Sequence, residues 1–121
     1  MTSYVVLLPG DEAAWAATPE AQKQEMYAVH AEFAKRLAER GHKVTGGAEL
    51  APSSEARVLR TSADGEQSVT QGPYAETAEQ LTGFYVIESS DLDDLLDCCQ
   101  IIAAVGDGIE VRRTVSAEDR A

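Results

Sequence analysis

The chain predicts an α+β fold, a ferredoxin-like βαββαβ arrangement with an inserted hairpin. Three features lead there. Helical patterns with buried stripes alternate with short apolar runs in the order strand, helix, strand, hairpin, strand, helix, strand. Asp64-Gly65 sits between two strand-like runs, which is the residue chemistry of a hairpin turn. The strongest strands are apolar on both faces, so a sheet carrying both helices on one side needs a cover for the other.

Each element has its own justification. Tyr4 to Leu8 is an apolar run ended by Pro9-Gly10 and reads as a buried strand. Asp11 opens a short helical turn to Ala17. Thr18-Pro19-Glu20 is a helix start, with a hydroxyl at the N-cap, proline at the first position and an acid facing the positive helix end. That helix runs to about Arg40, and Gly41 terminates it. Met26, Val29, Phe33 and Leu37 fall within roughly 80° of arc on a helical wheel. Lys43 to Gly47 is a second strand that turns glycine-rich, and Ala51-Pro52-Ser53-Ser54 is a loop. Arg57 to Thr61 and Gln67 to Thr70 form the hairpin. Leu81 to Glu88 is the strongest strand, with Leu81, Gly83, Tyr85 and Ile87 on one face and Phe84 and Val86 on the other. Ser90 caps a helix whose first turn holds Asp91, Asp93 and Asp94, and whose stripe is Leu92, Leu95, Leu96, Cys99 and Ile102. Ile109 to Val115 is the last strand. The domain spans 1–115, and 116–121 is a polar tail.

Composition narrows the partners. With 10 basic and 21 acidic residues in 121, the net charge is -11, which repels duplex nucleic acid and anionic membrane surfaces. Neither nucleic acid nor membrane is an expected partner. The first residues lack a basic leader and their apolar run is short, so a cytoplasmic location is expected. Cys98 and Cys99 are neighbours on a helix, where side chains diverge by about 100°, so they do not bond to each other. Unpaired thiols fit a reducing compartment. Cys99 is expected in the core and Cys98 at its margin; the pair offers too few ligands for a metal. No dinucleotide fingerprint, P-loop, HExxH or CxxC motif occurs, so no cofactor is expected.

Gln71-Gly72-Pro73-Tyr74-Ala75-Glu76-Thr77-Ala78-Glu79-Gln80-Leu81-Thr82-Gly83-Phe84-Tyr85 resembles the signature of the YCII-related, or DGPF-domain, family, whose wording is close to D-G-P-F-A-E-T-K-E-Q-L-G-G-F. The likeness continues at Gly10-Asp11-Glu12-Ala13-Ala14-Trp15-Ala16, at Gly46-Gly47-Ala48-Glu49-Leu50 and at Ile109-Glu110-Val111-Arg112. It covers almost the whole chain in order. The resemblance implies a small dimeric α/β barrel with a suspected catalytic pocket and no settled reaction. It implies too that some relatives sit beside genes for alternative sigma factors. Gln71 stands where the family pattern has Asp, and Tyr74 where it has Phe.

Candidate site residues follow from residue type and place. His30 lies about 40° from Met26 on the wheel, on the flank of the buried stripe. Imidazole there serves either as a half-buried packing residue or as a general acid or base. The resemblance favours the second, because related sequences carry a suspected active-site His at this helix position. Gly72-Pro73 either makes a rigid turn or presents Tyr74 and Glu76 to a pocket, with Glu76 beside His30 as a second catalytic group. A carboxylate there would raise the imidazole pKa. Gly46-Gly47 with Glu49 either forms a bulge or allows a ligand to approach; Gly47 and Glu49 are therefore candidate ligand contacts, with Gly72, Pro73 and Tyr74. His42, after Gly41, is expected at the surface beside a helix C-terminus. Trp15 is expected to anchor the first short helix.

Sheet-to-sheet packing with a second copy is the economical cover for the open face, which makes the protein a homodimer. Two functions follow: a regulatory or stress-linked accessory dimer, or a small-molecule enzyme using His30. The Gln71 substitution favours the first and the placement of His30 the second.

Overall fold

A computed structural model describes residues 1–120. Its elements are β1 (Thr2–Asp11), α1 (Glu12–Ala16), α2 (Glu20–Glu39), β2 (Lys43–Glu49), β3 (Arg57–Thr61), β4 (Gln67–Gln71), β5 (Glu79–Ser89), α3 (Leu92–Ala103) and β6 (Glu110–Arg113). The main sheet runs β2-β5-β1-β6, antiparallel at every pairing, and β3-β4 form a separate hairpin. This is the ferredoxin-like order with an inserted hairpin. Ala121 lies outside the described residues. The rest of the expected tail is tied back, since Arg113 pairs with Asp119 at 2.6 Å.

The core forms where α2 and α3 lie on one sheet face. Phe33 and Leu37 of α2 meet Val6, Ile87, Leu95, Cys98, Cys99 and Ile102, with Tyr4, Leu8, Tyr85 and Val111 around them. The α3 stripe is rotated from the expected one. Leu92 and Leu96 remain 40% and 39% exposed, whereas Cys98 is fully buried. Leu95, Cys98, Cys99 and Ile102 follow the i, i+3, i+4, i+7 spacing that one helix face presents. Leucine side chains on the flank lost to a smaller thiol that fits under Arg40 and Asp94.

Several boundaries moved for identifiable reasons. β1 continues through Pro9-Gly10, because a bulge between Leu8 and Pro9 absorbs the proline. The bulge places Leu81 opposite Pro9, so Leu81 leaves the face of Gly83, Tyr85 and Ile87 and joins Leu7 and Pro9 on the other. Asp11 caps α1 as expected, accepting from the Ala14 N–H at 3.1 Å. Thr18 does not cap α2. Its hydroxyl donates back to the Ala14 carbonyl at 2.8 Å, and Pro19 takes the cap position. Asp91, rather than Ser90, caps α3 by accepting from the Asp94 N–H at 3.1 Å. Gly41 ends α2 at φ 83°, and the His42 N–H donates to the Leu37 carbonyl at 2.9 Å.

His42 corrects a sequence expectation. It is 7% exposed, not a surface group. Its Nδ1 lies 2.9 Å from Ser89 Oγ and its Nε2 2.6 Å from Asp94 Oδ2, so the ring links β2, β5 and α3. Arg40 donates to Asp94 and, at 3.0 Å, to Asp97. The bond from His42 and the charge of Arg40 hold the Asp94 carboxyl below the usual carboxylate range. The sequence hid this because Gly41 turns the chain back over the end of α2, carrying His42 under α3.

Gly46 and Gly47 play two parts. A register shift between Val44 and Gly46 marks the bulge. Gly47 has φ 143°, and a Cβ there would lie 2.5 Å from the Phe84 carbonyl oxygen. Gly47→Ala is therefore expected to lower stability by about 1–3 kcal/mol, the usual cost of a strained backbone position. Urea unfolding measures it, and an unchanged midpoint would contradict the close approach.

The face away from the helices is apolar at its centre. Val5 pairs with Val86, and Leu7 with Phe84. Gly46 and Ala48 extend these rows on β2, and Arg112 and Glu110, an ion pair at 2.6 Å, close them on β6. No helix among the described residues is long and apolar enough to cross a membrane.

Candidate active site

His30 faces the sheet from α2 and is half-buried. Its Nδ1 lies 2.7 Å from the Tyr85 hydroxyl, and the two rings stack at 5.9 Å with 21° between planes. Phe33, one turn further along α2, meets Tyr85 edge-on at 5.3 Å and fixes the phenol from the core side. Tyr85 is placed by strand alternation: it shares the inner face of β5 with Gly83 and Ile87.

A second pair adjoins the first. The Tyr27 hydroxyl donates to Glu49, at 3.0 and 3.2 Å to its two oxygens. Trp15 packs edge-on against Tyr27 at 5.9 Å, and the Lys23 ammonium sits 5.2 Å above the indole. Lys23, Tyr27 and His30 follow an i, i+4, i+7 spacing, so one flank of α2 presents a cation, a phenol and an imidazole in line. Glu49 reaches this flank from the C-terminal end of β2.

Electrostatics set the protonation states. Burial lowers the His30 pKa below 6.5, and the negative charge of Glu49 partly opposes this. The expected upward shift is thus corrected: desolvation of the imidazolium outweighs its carboxylate neighbour. Burial raises the Tyr85 pKa, and the bond to Glu49 is the main cause that raises that of Tyr27. At neutral pH His30 is an uncharged ring beside a protonated phenol. If Tyr85 donates to Nδ1, Nε2 carries the ring proton and can give it away. If Nδ1–H donates to the phenol oxygen, Nε2 offers a lone pair. Both arrangements use the same heavy-atom positions.

The signature loop is anchored elsewhere. The Gly72 N–H donates to the Ala56 carbonyl at 2.9 Å, with φ 106° at Gly72. Gln71 Nε2 donates to the Ser54 carbonyl at 3.3 Å. Pro73 is half-buried and Tyr74 is 76% exposed, with the Arg60 guanidinium 4.6 Å above its ring. Glu76 lies exposed in the same loop. Further on, Thr77 to Leu81 line an open cavity of about 570 Å³ with Leu7, Pro9 and Glu110, on the apolar sheet face. The structure thus joins His30 to Tyr85 and brings Glu49 within electrostatic reach of it. Gly72, Pro73 and Tyr74 belong to the hairpin module, and Gly47 is held against β5.

Tyr85, Tyr27 and Lys23 went unrecognised in the sequence. The i, i+4, i+7 spacing of Lys23, Tyr27 and His30 was the available signal for the helix flank. Tyr85 had none, because its pairing with His30 spans the fold.

The sequence model of the YCII-related domain matches residues 2–118. The chain belongs to the YCII-related domain family. It is also similar to an uncharacterized protein of Rhizobium meliloti (strain 1021), 38% identical over 94 residues, which cover 78% of this chain and 74% of the relative. The match across residues 2–118 takes in α2, the glycine-rich end of β2 and β5, and so every residue of the His30 cluster.

Proposed function

We propose that this YCII-related protein is a homodimer that binds a small molecule at the His30 flank of α2 and exchanges a proton with it. The carrying observation is the 2.7 Å contact between His30 Nδ1 and the Tyr85 hydroxyl, with Nε2 free of a protein partner among the described residues. An uncharged, half-buried imidazole held by a phenol is suited to acid–base work near neutral pH. Glu49 and Tyr27 would position the ligand, and Trp15 would supply an aromatic wall. A homodimer through Val5, Leu7, Phe84 and Val86 would cover the apolar face. The two free thiols, Cys98 and Cys99, support a cytoplasmic location.

The test is a ligand-observed NMR screen of fragment-sized weak acids and carbonyl compounds against the wild type, His30→Gln and Tyr85→Phe. Binders of the wild type are expected to weaken at least about tenfold in His30→Gln, as for a lost hydrogen bond to a buried polar group. Hits that bind all three proteins equally would overturn the reading.

A regulatory or stress-linked accessory role is the second reading, favoured by Gln71. Its amide donates to Ser54, a bond that an aspartate carboxylate cannot make. The position then serves the loop, not chemistry. A wild type that binds nothing in the screen while forming a stable dimer supports this reading.

A further inference from the structure

We propose that His42, Asp94 and Cys98 form a binding site for a Zn2+-type divalent cation, separate from the His30 cluster. One ligand atom from each lies within 4.8 Å of the other two. A nitrogen, a carboxylate oxygen and a thiolate are the donors that tetrahedral zinc prefers, and three protein ligands leave a fourth position for water. Zinc bonds of this kind put ligand atoms roughly 3.3–3.8 Å apart. His42 Nε2 and Asp94 Oδ2, now 2.6 Å apart, would open by about 1 Å to admit the ion, within reach of side-chain rotation.

The surroundings are those of a supported metal site. Ligating histidines are oriented by a partner on their second nitrogen, and here Ser89 Oγ lies 2.9 Å from Nδ1. Ser89 Oγ can accept a hydrogen bond from Nδ1–H. Its hydroxyl has the Asp91 carbonyl at 3.0 Å to donate to, and accepts the Asp91 N–H at 3.0 Å. Its second lone pair then accepts Nδ1–H, leaving Nε2 bare for the cation. Arg40 holds the other oxygen of Asp94 and keeps the carboxylate turned towards His42. The His42 side chain is 3% exposed and Asp94 23%, so the entry path runs past the carboxylate. The thiol of Cys98 is fully buried and its partners in the site are these two residues.

The charges balance on binding. His42 binds through a bare Nε2 with its ring proton on Nδ1 facing Ser89. Any proton that Nε2 carries leaves to solvent, and Cys98 releases its thiol proton to solvent. One dication with one thiolate and one carboxylate leaves the site neutral, and Arg40 stays paired with Asp94. The burial that makes a free thiolate costly becomes favourable once the cation neutralises it.

Co2+ is the probe, titrated into the intact, reduced protein. One equivalent is expected to produce a thiolate-to-cobalt charge-transfer band in the near ultraviolet, and Zn2+ should displace it. Cys98→Ser should abolish the band, Asp94→Asn should weaken cobalt binding at least about tenfold, and Cys99→Ser should leave it intact. Far-ultraviolet circular dichroism checks that each variant is folded. A folded wild type with no band overturns the proposal, as does a band that survives Cys98→Ser or is lost in Cys99→Ser.

Discussion

Phe84→Glu is expected to convert a particle of about twice 13.0 kDa into a 13.0 kDa monomer in light scattering at micromolar concentration. The reasoning starts from strand alternation. Gly83, Tyr85 and Ile87 face the helices, which leaves Phe84 and Val86 outward, registered against Leu7 and Val5. Among the described residues no third helix is long enough to cover this surface, since α1 spans Glu12–Ala16 alone and packs against β1 and β5. A carboxylate at its centre would be buried without a partner once per protomer in the dimer, at a cost of several kcal/mol each, against the roughly 8 kcal/mol that holds a micromolar dimer. Val86→Asp should act alike, and both should remain folded, because neither side chain enters the core of the protomer. A wild type that is monomeric at every concentration, or two variants that remain dimeric, would contradict the interface.

His42→Ala is the substitution expected to cost most within the protomer, about 2–4 kcal/mol by urea unfolding. It empties a buried ring site and removes the bonds to Ser89 and Asp94 that join β2, β5 and α3. That is a large share of the total for a domain of this size. Asp97→Ala is the contrast. Its ion pair with Arg40 is solvent-exposed, and such pairs contribute at most about 1 kcal/mol. If the two substitutions cost the same, His42 is not the tie that its burial implies.

The sequence made the fold legible because each local rule agreed with the global arrangement. Gly41 stops α2, Asp64-Gly65 turns the hairpin, and the stripe ending in Phe33 and Leu37 reaches the core. The errors came where a particular bonding partner, near or far along the chain, decided the outcome. Thr18 had a carbonyl of α1 to bond, so it did not cap. The bulge at Leu8/Pro9 moved Leu81 to the other face, and chain reversal at Gly41 carried His42 inside. The site was half legible. His30 and Glu49 could be marked by residue type and position, whereas Tyr85 pairs with His30 across 55 residues, a relation that periodicity cannot reveal. The loop at Gly72 drew attention by its wording, yet its bonds run to Ala56, Ser54 and Arg60.

The central claim is that His30 is an uncharged, acid–base-ready imidazole held by Tyr85 at neutral pH. Its titration, followed through the ring nitrogens by NMR, tests this most directly. The midpoint should fall below 6.5, because burial disfavours the cation. Glu49→Gln should lower it further by removing the opposing charge. The linked stability has a definite sign: the unfolded chain binds the proton more tightly, so stability rises with pH between the folded and unfolded midpoints, and His30→Gln flattens that slope. A midpoint at or above 6.5, or one indifferent to Glu49→Gln, would contradict the account.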